Sequence, residues 1–99
     1  MVERTPAVAT MQVDNDRVRV TEWRIPVGGA TGWHRHEYDY VVVPMQGGRL
    51  KLAAAGGESE AEMTVGQSYF RQAGVEHDVI NDDAGDIVFI EVEFKTPAG

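Results

Sequence analysis

The sequence contains no cysteine, which excludes disulfide bonds and thiolate metal ligands. No apolar run approaches the roughly 20 residues that a membrane-spanning helix needs. The first residues, Met1 to Pro6, lack the pattern of a secretory signal. We therefore expect a protein of the reducing cytoplasm that has no membrane partner.

Basic residues are scarce. Nine Lys and Arg face 16 Asp and Glu, and the formal net charge is -7. The basic residues are scattered along the chain, whereas binding to nucleic acid needs a concentrated basic surface. A small molecule or another protein is the better partner. The length of 99 residues predicts one domain, spanning residues 1–99.

Helical periodicity is also nearly absent. Short alternating or apolar stretches recur between Gly, Asn and Asp residues, as is typical of an all-β barrel or sandwich. The predicted strands are 17–23, 40–43, 50–53, 68–71, 76–80 and 87–94. Pro44 and the Gly47-Gly48 pair are expected to end the second of these strands. Residues 58–62 are expected to form a solvated strand edge.

The last predicted strand is apolar on both faces at its start, so it is either sandwiched within the fold or packed against a second subunit. We favour a homodimer. Glu91 and Glu93 alternate with the longer apolar face, which comprises Val88, Ile90, Val92 and Phe94. Both glutamates are either solvent-facing or polar residues of an internal cavity, and we favour the solvent.

The sequence has three histidines. His34 and His36 are two residues apart and project from the same side of a strand, because successive side chains alternate between faces. His77 lies forty-one residues after His36, and a β fold can bring it alongside the other two. Three converging imidazoles bind a divalent transition metal and leave coordination positions open. Their spacing therefore favours a metal site over ordinary polar strand positions.

These residues also match two motifs in register. The first runs Gly28, five residues, His34-Arg35-His36, three residues, Tyr40, six residues and Gly47. The second runs Gly66, five residues, Gln72-Ala73-Gly74, two residues, His77, three residues and Asn81. The chain thereby resembles the cupin superfamily, and specifically small single-domain cupins of the conserved-barrel type. The resemblance implies a double-stranded β-helix, which is an antiparallel jelly-roll barrel.

The chain departs from the cupin pattern at two positions. Gln72 replaces a proline, which only loosens a turn, whereas Tyr40 stands where the family usually has a metal-binding Glu. Strand alternation places Tyr40 on the same side as His34 and His36, so its ring should face the cavity. Asp39 has the wrong parity for a substitute ligand unless the strand bulges there. The resemblance thus indicates a three-histidine site, in which Tyr40 is either a catalytic residue or a packed core aromatic.

Three neutral imidazoles leave the charge of a divalent ion uncompensated by the protein. Such a site should favour a small anionic chelating metabolite, and the phenol of Tyr40 is placed to donate a hydrogen bond or proton to it. Iron, manganese, nickel and zinc all suit the ligand set. Arg71 is a candidate for holding a substrate carboxylate, although a surface ion pair is the alternative that we favour. Asn81 is expected to serve a turn.

The resemblance leaves the reaction open, since cupins include dioxygenases, isomerases, lyases and dehydratases. We rank a dioxygenase first, because three histidines without a carboxylate resemble the sites of diketone- and thiol-oxidising cupins. A non-oxidative lyase, isomerase or dehydratase is the second hypothesis. A non-catalytic ligand-binding or sensor module is the third.

Overall fold

The computed structural model describes residues 4–95, and every regular element in this range is a β-strand. The eleven strands are β1 (Thr5–Pro6), β2 (Val8–Asp14), β3 (Val18–Ile25), β4 (Gly29–Ala30), β5 (His34–Arg35), β6 (Asp39–Gln46), β7 (Gly48–Ala54), β8 (Gly57–Met63), β9 (Tyr69–Arg71), β10 (Glu76–Ile80) and β11 (Ile87–Phe94). The predicted all-β fold is confirmed. The described residues include no helix that could cross a membrane. The ends of the predicted domain, 1–3 and 96–99, lie outside the described residues, as does the start of the segment tested for a secretory signal.

The strands form two sheets that enclose one core. One sheet has the order β1-β4-β10-β7-β8, with β5 also paired to β10, and the other has the order β2-β3-β11-β6-β9. All pairings are antiparallel except that of β1 with β4. Both sheets contribute to the core cluster, which comprises Ile25, Tyr40, Val42, Leu50, Met63, Val79, Ile87 and Phe89. The interior therefore lies between the sheets, and inward-facing side chains of both sheets can meet there.

The strand predictions hold best where apolar residues are concentrated. The predicted strands 76–80 and 87–94 coincide with β10 and β11. Residues 58–62 lie in β8, an edge strand that is largely exposed, as predicted. The edge strand β2 was not predicted; all seven of its residues are exposed, so no buried face marks it in the sequence.

The expectation that Pro44 ends a strand is wrong. Pro44 is buried inside β6 and lies opposite Phe89 of β11. The next pair is Gln46 with Val88, so one residue of β6 is left over as a bulge. The bulge next to Pro44 interrupts the regular ladder of hydrogen bonds. The N–H that proline lacks is therefore not required there, and β6 can continue.

Candidate metal centre

The three histidines converge at one end of the barrel. β5 and β10 pair antiparallel, and this places His34 directly opposite His77. The Nε2 atom of His36 lies 3.0 Å from Nε2 of His34 and 3.3 Å from Nε2 of His77. One ring nitrogen of each residue lies within 4.8 Å of the other two. Residues far apart in sequence thus present three nitrogens to a single point.

His36 is fixed by the turn between β9 and β10. Its backbone N–H donates to the carbonyl of Val75 at 2.9 Å, and its own carbonyl accepts from the N–H of Gly74 at 2.8 Å. Gly74 has a φ of +98°, a conformation that favours glycine because it has no Cβ. The glycine of the second motif therefore shapes the turn that holds a histidine of the first.

The ring of His34 is held in the tautomer that metal binding requires. Its Nδ1 lies 2.9 Å from the carbonyl oxygen of Gly32, which can only accept, so Nδ1 carries the hydrogen. The Thr31 hydroxyl lies 3.3 Å from the same nitrogen. Nε2 consequently keeps its lone pair and directs it at the other two rings. Such a hydrogen bond behind a ligand is typical of metal-binding histidines.

The surroundings keep His36 and His77 neutral. Burial lowers the pKa of His36 to about 4, and His34 and His77 contribute to the same shift. Burial also lowers the pKa of His77 to about 4, assisted by His34 and by the Arg71 guanidinium. Neutral imidazole is the form that coordinates a metal, so at neutral pH these rings need no deprotonation to do so.

A transition metal fits this arrangement. Two nitrogens that are each about 2.1 Å from an ion lie about 3.0 Å apart when they subtend a right angle, and further apart at wider angles. The two observed separations of 3.0 and 3.3 Å correspond to neighbouring ligands of one ion, and all three nitrogens lie within 4.8 Å of one another. The cluster can therefore hold a divalent metal and leave further positions open.

Tyr40 packs directly against this cluster. Its ring stacks on His36, with 4.0 Å between the centroids and 19° between the planes, and the residue is only 2% exposed. Burial, followed by the charge of Glu91, raises the pKa of the Tyr40 hydroxyl above its usual value of 10.0. The phenol therefore keeps its proton at neutral pH. Asp39 lies on the exposed side of β6, where its carboxylate accepts from the Ala73 N–H at 2.8 Å, so it does not reach the histidines.

Two cavities flank the cluster. An internal cavity of about 30 Å³ is lined by Tyr40, Val42, Leu50, Leu52, Met63, Tyr69, Arg71, His77, Val79, Phe89 and Glu91. An open groove of about 240 Å³ is lined by Arg19, Trp23, Thr31, His34, Arg35, His36, Glu37, Tyr38, Glu91 and Glu93. A larger charged groove of about 430 Å³ borders β7 and β8, but no histidine lines it. The chemistry of the histidines is thus accessible from an internal and an external side.

Glu91 forms part of the wall of both cavities. It is only 8% exposed, so our expectation that it faces solvent is wrong. Burial, followed by repulsion from Glu93, raises the pKa of its carboxyl to about 7, while the Trp23 indole N–H acts in the opposite direction. Glu91 shares the parity of Ile87 and Phe89 on the same strand, but the longer apolar face of Val88, Ile90, Val92 and Phe94 gave the opposite indication in the sequence.

Arg71 also differs from the expectation of a surface ion pair. Among the described residues it has no carboxylate partner within 4 Å. Its guanidinium instead stacks over the Tyr69 ring, 4.7 Å from the centroid, and it lines the internal cavity. Asn81 serves a turn as predicted, because its side-chain oxygen accepts from the Asp83 N–H at 2.9 Å.

Comparisons with known proteins agree with this architecture. The family model described as a cupin domain matches residues 21–93. The β-alanine degradation protein BauB of Pseudomonas aeruginosa is 54% identical over 95 residues, which cover 96% of this chain and 100% of that protein. The crystal structure of a cupin domain protein from Bordetella pertussis is 52% identical, with a TM-score of 0.94 over 97% of this chain and 100% of that one.

More distant structures share the fold alone. A Klebsiella pneumoniae protein with a double-stranded β-helix domain is 15% identical, with a TM-score of 0.76 over 100% of this chain and 85% of that one. The polyketide cyclase RemF of Streptomyces resistomycificus is 21% identical, with a TM-score of 0.70 over 96% of this chain and 71% of that one. The matched motifs, the two-sheet barrel and these relatives together show that the chain is a member of the cupin family.

Proposed function

We propose that this chain is a cytoplasmic metal-dependent cupin enzyme that acts on a small anionic metabolite, and that it is a dioxygenase. The observation that carries this proposal is the convergence of the three Nε2 atoms, with separations of 3.0 and 3.3 Å, beside a mostly apolar cavity that Arg71 and Glu91 also line. Separations of this size are those expected between neighbouring imidazole ligands of one transition-metal ion.

His34, His36 and His77 would hold the ion. Iron, manganese, nickel or zinc would supply Lewis acidity, and iron would also supply redox chemistry with oxygen. Within residues 4–95, the group contains histidines only and no carboxylate. An anionic substrate would provide the negative charge that balances a divalent ion, which three neutral imidazoles do not provide.

The other cavity residues have separate tasks. Tyr40 holds a proton that it can donate to a substrate oxygen, and its stacking on His36 fixes the direction from which it does so. Apolar residues of β7, β10 and β11 form the opposite walls and limit water to the space of about 30 Å³. Bound substrate would therefore exchange solvent for a mostly apolar enclosure.

The relative from Pseudomonas aeruginosa narrows the substrate class. Its name assigns it to the degradation of β-alanine, a three-carbon amino acid. We accordingly favour small carboxylates that arise from β-amino acids. A substrate of this size carries the negative charge that the proposed centre needs.

A non-oxidative lyase, isomerase or dehydratase is the second candidate, and Glu91 favours it. A buried carboxyl with a pKa of about 7 is suited to move protons at neutral pH, which such reactions require and oxygen insertion does not. A non-catalytic ligand-binding or sensor role is the third candidate, and it predicts metal binding without turnover.

Metal analysis tests the foundation of the proposal. Protein purified without metal-affinity chromatography is expected to contain a transition metal at about one equivalent, and added metal should raise the melting temperature of the metal-free form. His77→Ala should abolish both effects. Glu76→Gln is a matched control, because this exposed neighbour on β10 lies outside the histidine cluster and forms a surface ion pair with Arg35. Absence of stoichiometric metal together with an unchanged melting temperature would contradict the proposal.

Turnover assays separate the candidates. Iron-loaded protein is expected to consume oxygen with at least one member of a panel of β-diketones, hydroxyacids, thiols and three-carbon carboxylates, and His77→Ala should not. Conversion of a substrate under anaerobic conditions would assign the non-oxidative reaction instead. Metal binding without turnover of any compound, with or without oxygen, would indicate the sensor role.

A further inference from the structure

Arg71 stands apart from the other cations of this acidic chain. Seven of the nine Lys and Arg side chains have an ion-pair partner within 4 Å, and the two that have none among the described residues are Arg17 and Arg71. Arg17 lies between β2 and β3 and lines neither of the cavities beside the histidines. Arg71 is therefore the one unpaired cation of the described chain that lies beside the candidate metal centre.

The strand pairing gives Arg71 a defined position at this site. β9 pairs with β6 so that Arg71 lies directly opposite Tyr40. Both residues line the internal cavity together with His77. Tyr40 is buried whereas Arg71 is exposed, so Tyr40 forms the wall and Arg71 forms the rim. The guanidinium stacks over Tyr69, which restricts its orientation without neutralising its charge.

The charge of Arg71 reaches into the cavity. It contributes to the lowered pKa of His77 and opposes the rise that burial causes in the pKa values of Tyr40 and Tyr69, as a positive charge beside the cavity does. Glu91 lines the same cavity, but its carboxyl is not within 4 Å of the guanidinium. The field of Arg71 is consequently available to a ligand.

We propose that Arg71 binds the carboxylate of the ligand that occupies this cavity. The ligand class is a small carboxylic acid that has a metal-binding oxygen, nitrogen or sulfur group at its other end. The metal-binding group of this ligand rests on the proposed metal-dependent function. The binding of its carboxylate by Arg71 depends on the residues of the cavity alone.

A carboxylate suits this position better than a phosphate. Arg71 is the only Lys or Arg among the residues that line the cavity, and a single guanidinium forms two parallel hydrogen bonds with one planar carboxylate. A phosphate carries more charge and is usually met by several donors. The internal space of about 30 Å³ also favours a compact group.

The test uses metal-free protein, so that it does not depend on the proposed function. Propionate and its neutral analogue propionamide are titrated into isotope-labelled protein at physiological salt, and binding is followed by NMR. Propionate is expected to shift the side-chain Nε–H signal of Arg71 and nearby amides of β6 and β9. Propionamide is expected to bind about 10- to 100-fold more weakly, because it lacks the charge that strengthens these hydrogen bonds.

Three variants complete the design. Arg71→Met should weaken propionate binding by about 10- to 100-fold, and Arg71→Lys should give an intermediate loss, since lysine keeps the charge but not the paired hydrogen bonds. Arg24→Met is the control: this exposed arginine pairs with Asp86 and lines neither cavity beside the histidines. It should leave the affinity unchanged. Circular dichroism verifies that each variant is folded.

Several results would overturn the proposal. These are equal affinity of the native protein for the acid and the amide, equal affinity of native and Arg71→Met protein for propionate, or no detectable propionate binding to the native protein. Failure of the metal-dependent function would appear separately, as absence of bound metal or of turnover, and would leave this titration unaffected.

Discussion

At the scale of single residues, the site contains ionisable groups whose shifts affect stability in opposite directions. Burial makes His36 and His77 resist protonation, whereas burial makes Glu91 resist ionisation. Acidification therefore penalises the folded state through the histidines and favours it through Glu91. In the native protein the two effects partly cancel, so each must be measured in a variant that lacks the other.

For Glu91, the folded protein binds more protons than the unfolded chain between pH 4.5 and about 7. The stability contributed by its neutral form is fully present below pH 4.5 and is lost as the pH rises through 7. The native protein should therefore lose stability between pH 4.5 and pH 8 through Glu91, and Glu91→Gln should not. The free energy of unfolding at pH 8 minus that at pH 4.5 should be higher in the variant than in the native protein by up to about 3 kcal/mol. Urea unfolding at the two pH values measures this. Glu58→Gln, at an exposed position of β8, should leave the pH dependence unchanged.

For the histidines, the unfolded chain binds more protons than the folded protein between pH 6.5 and about 4. Metal-free protein should therefore lose stability as the pH falls through this range. In the Glu91→Gln background, adding His77→Ala should reduce that loss by about 1 to 2 kcal/mol, which allows for partial solvent access to His77. Urea unfolding at pH 6.5 and 4.5 without metal provides the measurement. An identical loss in both proteins would mean that His77 titrates normally.

Tyr40→Phe separates the two interpretations of this tyrosine. The variant keeps the ring that stacks on His36 and deletes only the hydroxyl. If the hydroxyl transfers a proton, kcat should fall about 100-fold while the melting temperature and metal content stay near those of the native protein. Steady-state kinetics with the substrate identified in the turnover panel give the answer. Unchanged kinetics would reduce Tyr40 to a packing residue.

At the scale of elements, the site depends on a turn that joins two parts of the chain. The two backbone hydrogen bonds between His36 and the turn containing Gly74 and Val75 hold the first motif against the second. β5 has only two residues, too few to fix a side chain by sheet pairing alone. The turn between β9 and β10 thus supports the candidate metal centre, although none of its residues belongs to the histidine cluster.

Gly74→Ala tests this role. No atom lies within 4 Å of where the added Cβ would be, so the cost arises from the backbone φ of +98°. We expect the free energy of unfolding to fall by about 1 kcal/mol and metal affinity to fall several-fold, because His36 loses its fixed position. Gly56→Ala is the control, since this turn glycine has equally open space and no positive φ. Equal metal affinity in both variants would show that the turn does not position the cluster.

At the scale of the whole molecule, the outer face of the five-stranded sheet is apolar and uncovered within the described chain. The strand registers place one apolar side chain from every strand in a single row, namely Val13, Val20, Val92, Val41 and Phe70. Val13, Phe70 and Phe94 are exposed by 42%, 52% and 40%. The second apolar face of β11 therefore points away from the barrel, where a second subunit could cover it.

We predict a homodimer formed through this outer face of the five-stranded sheet. Light scattering coupled to size-exclusion chromatography should give twice the mass of the chain. Phe70→Lys and Val92→Lys should each shift the protein toward monomer, because burying a charge in an apolar interface is costly. Trp33→Ser removes an exposed aromatic outside this sheet and should leave the dimer intact. A monomeric native protein would contradict the prediction.

The sequence by itself determined the barrel and the histidine cluster. Alternation puts His34 and His36 on one side of a strand, and strong apolar patterns mark β10 and β11. The barrel and the place of His77 were implied by the resemblance of the two motifs to those of cupins. The positions of Glu91 and Arg71 were decided only by the tertiary structure. Because β11 is apolar on both faces, its sequence cannot tell which face enters the barrel, and the longer apolar face turned outward. Whether a charged side chain has an ion-pair partner depends on which strands pair across the fold. The place of the Arg71 guanidinium at the cavity rim therefore follows from the pairing of β9 with β6, which the sequence does not show.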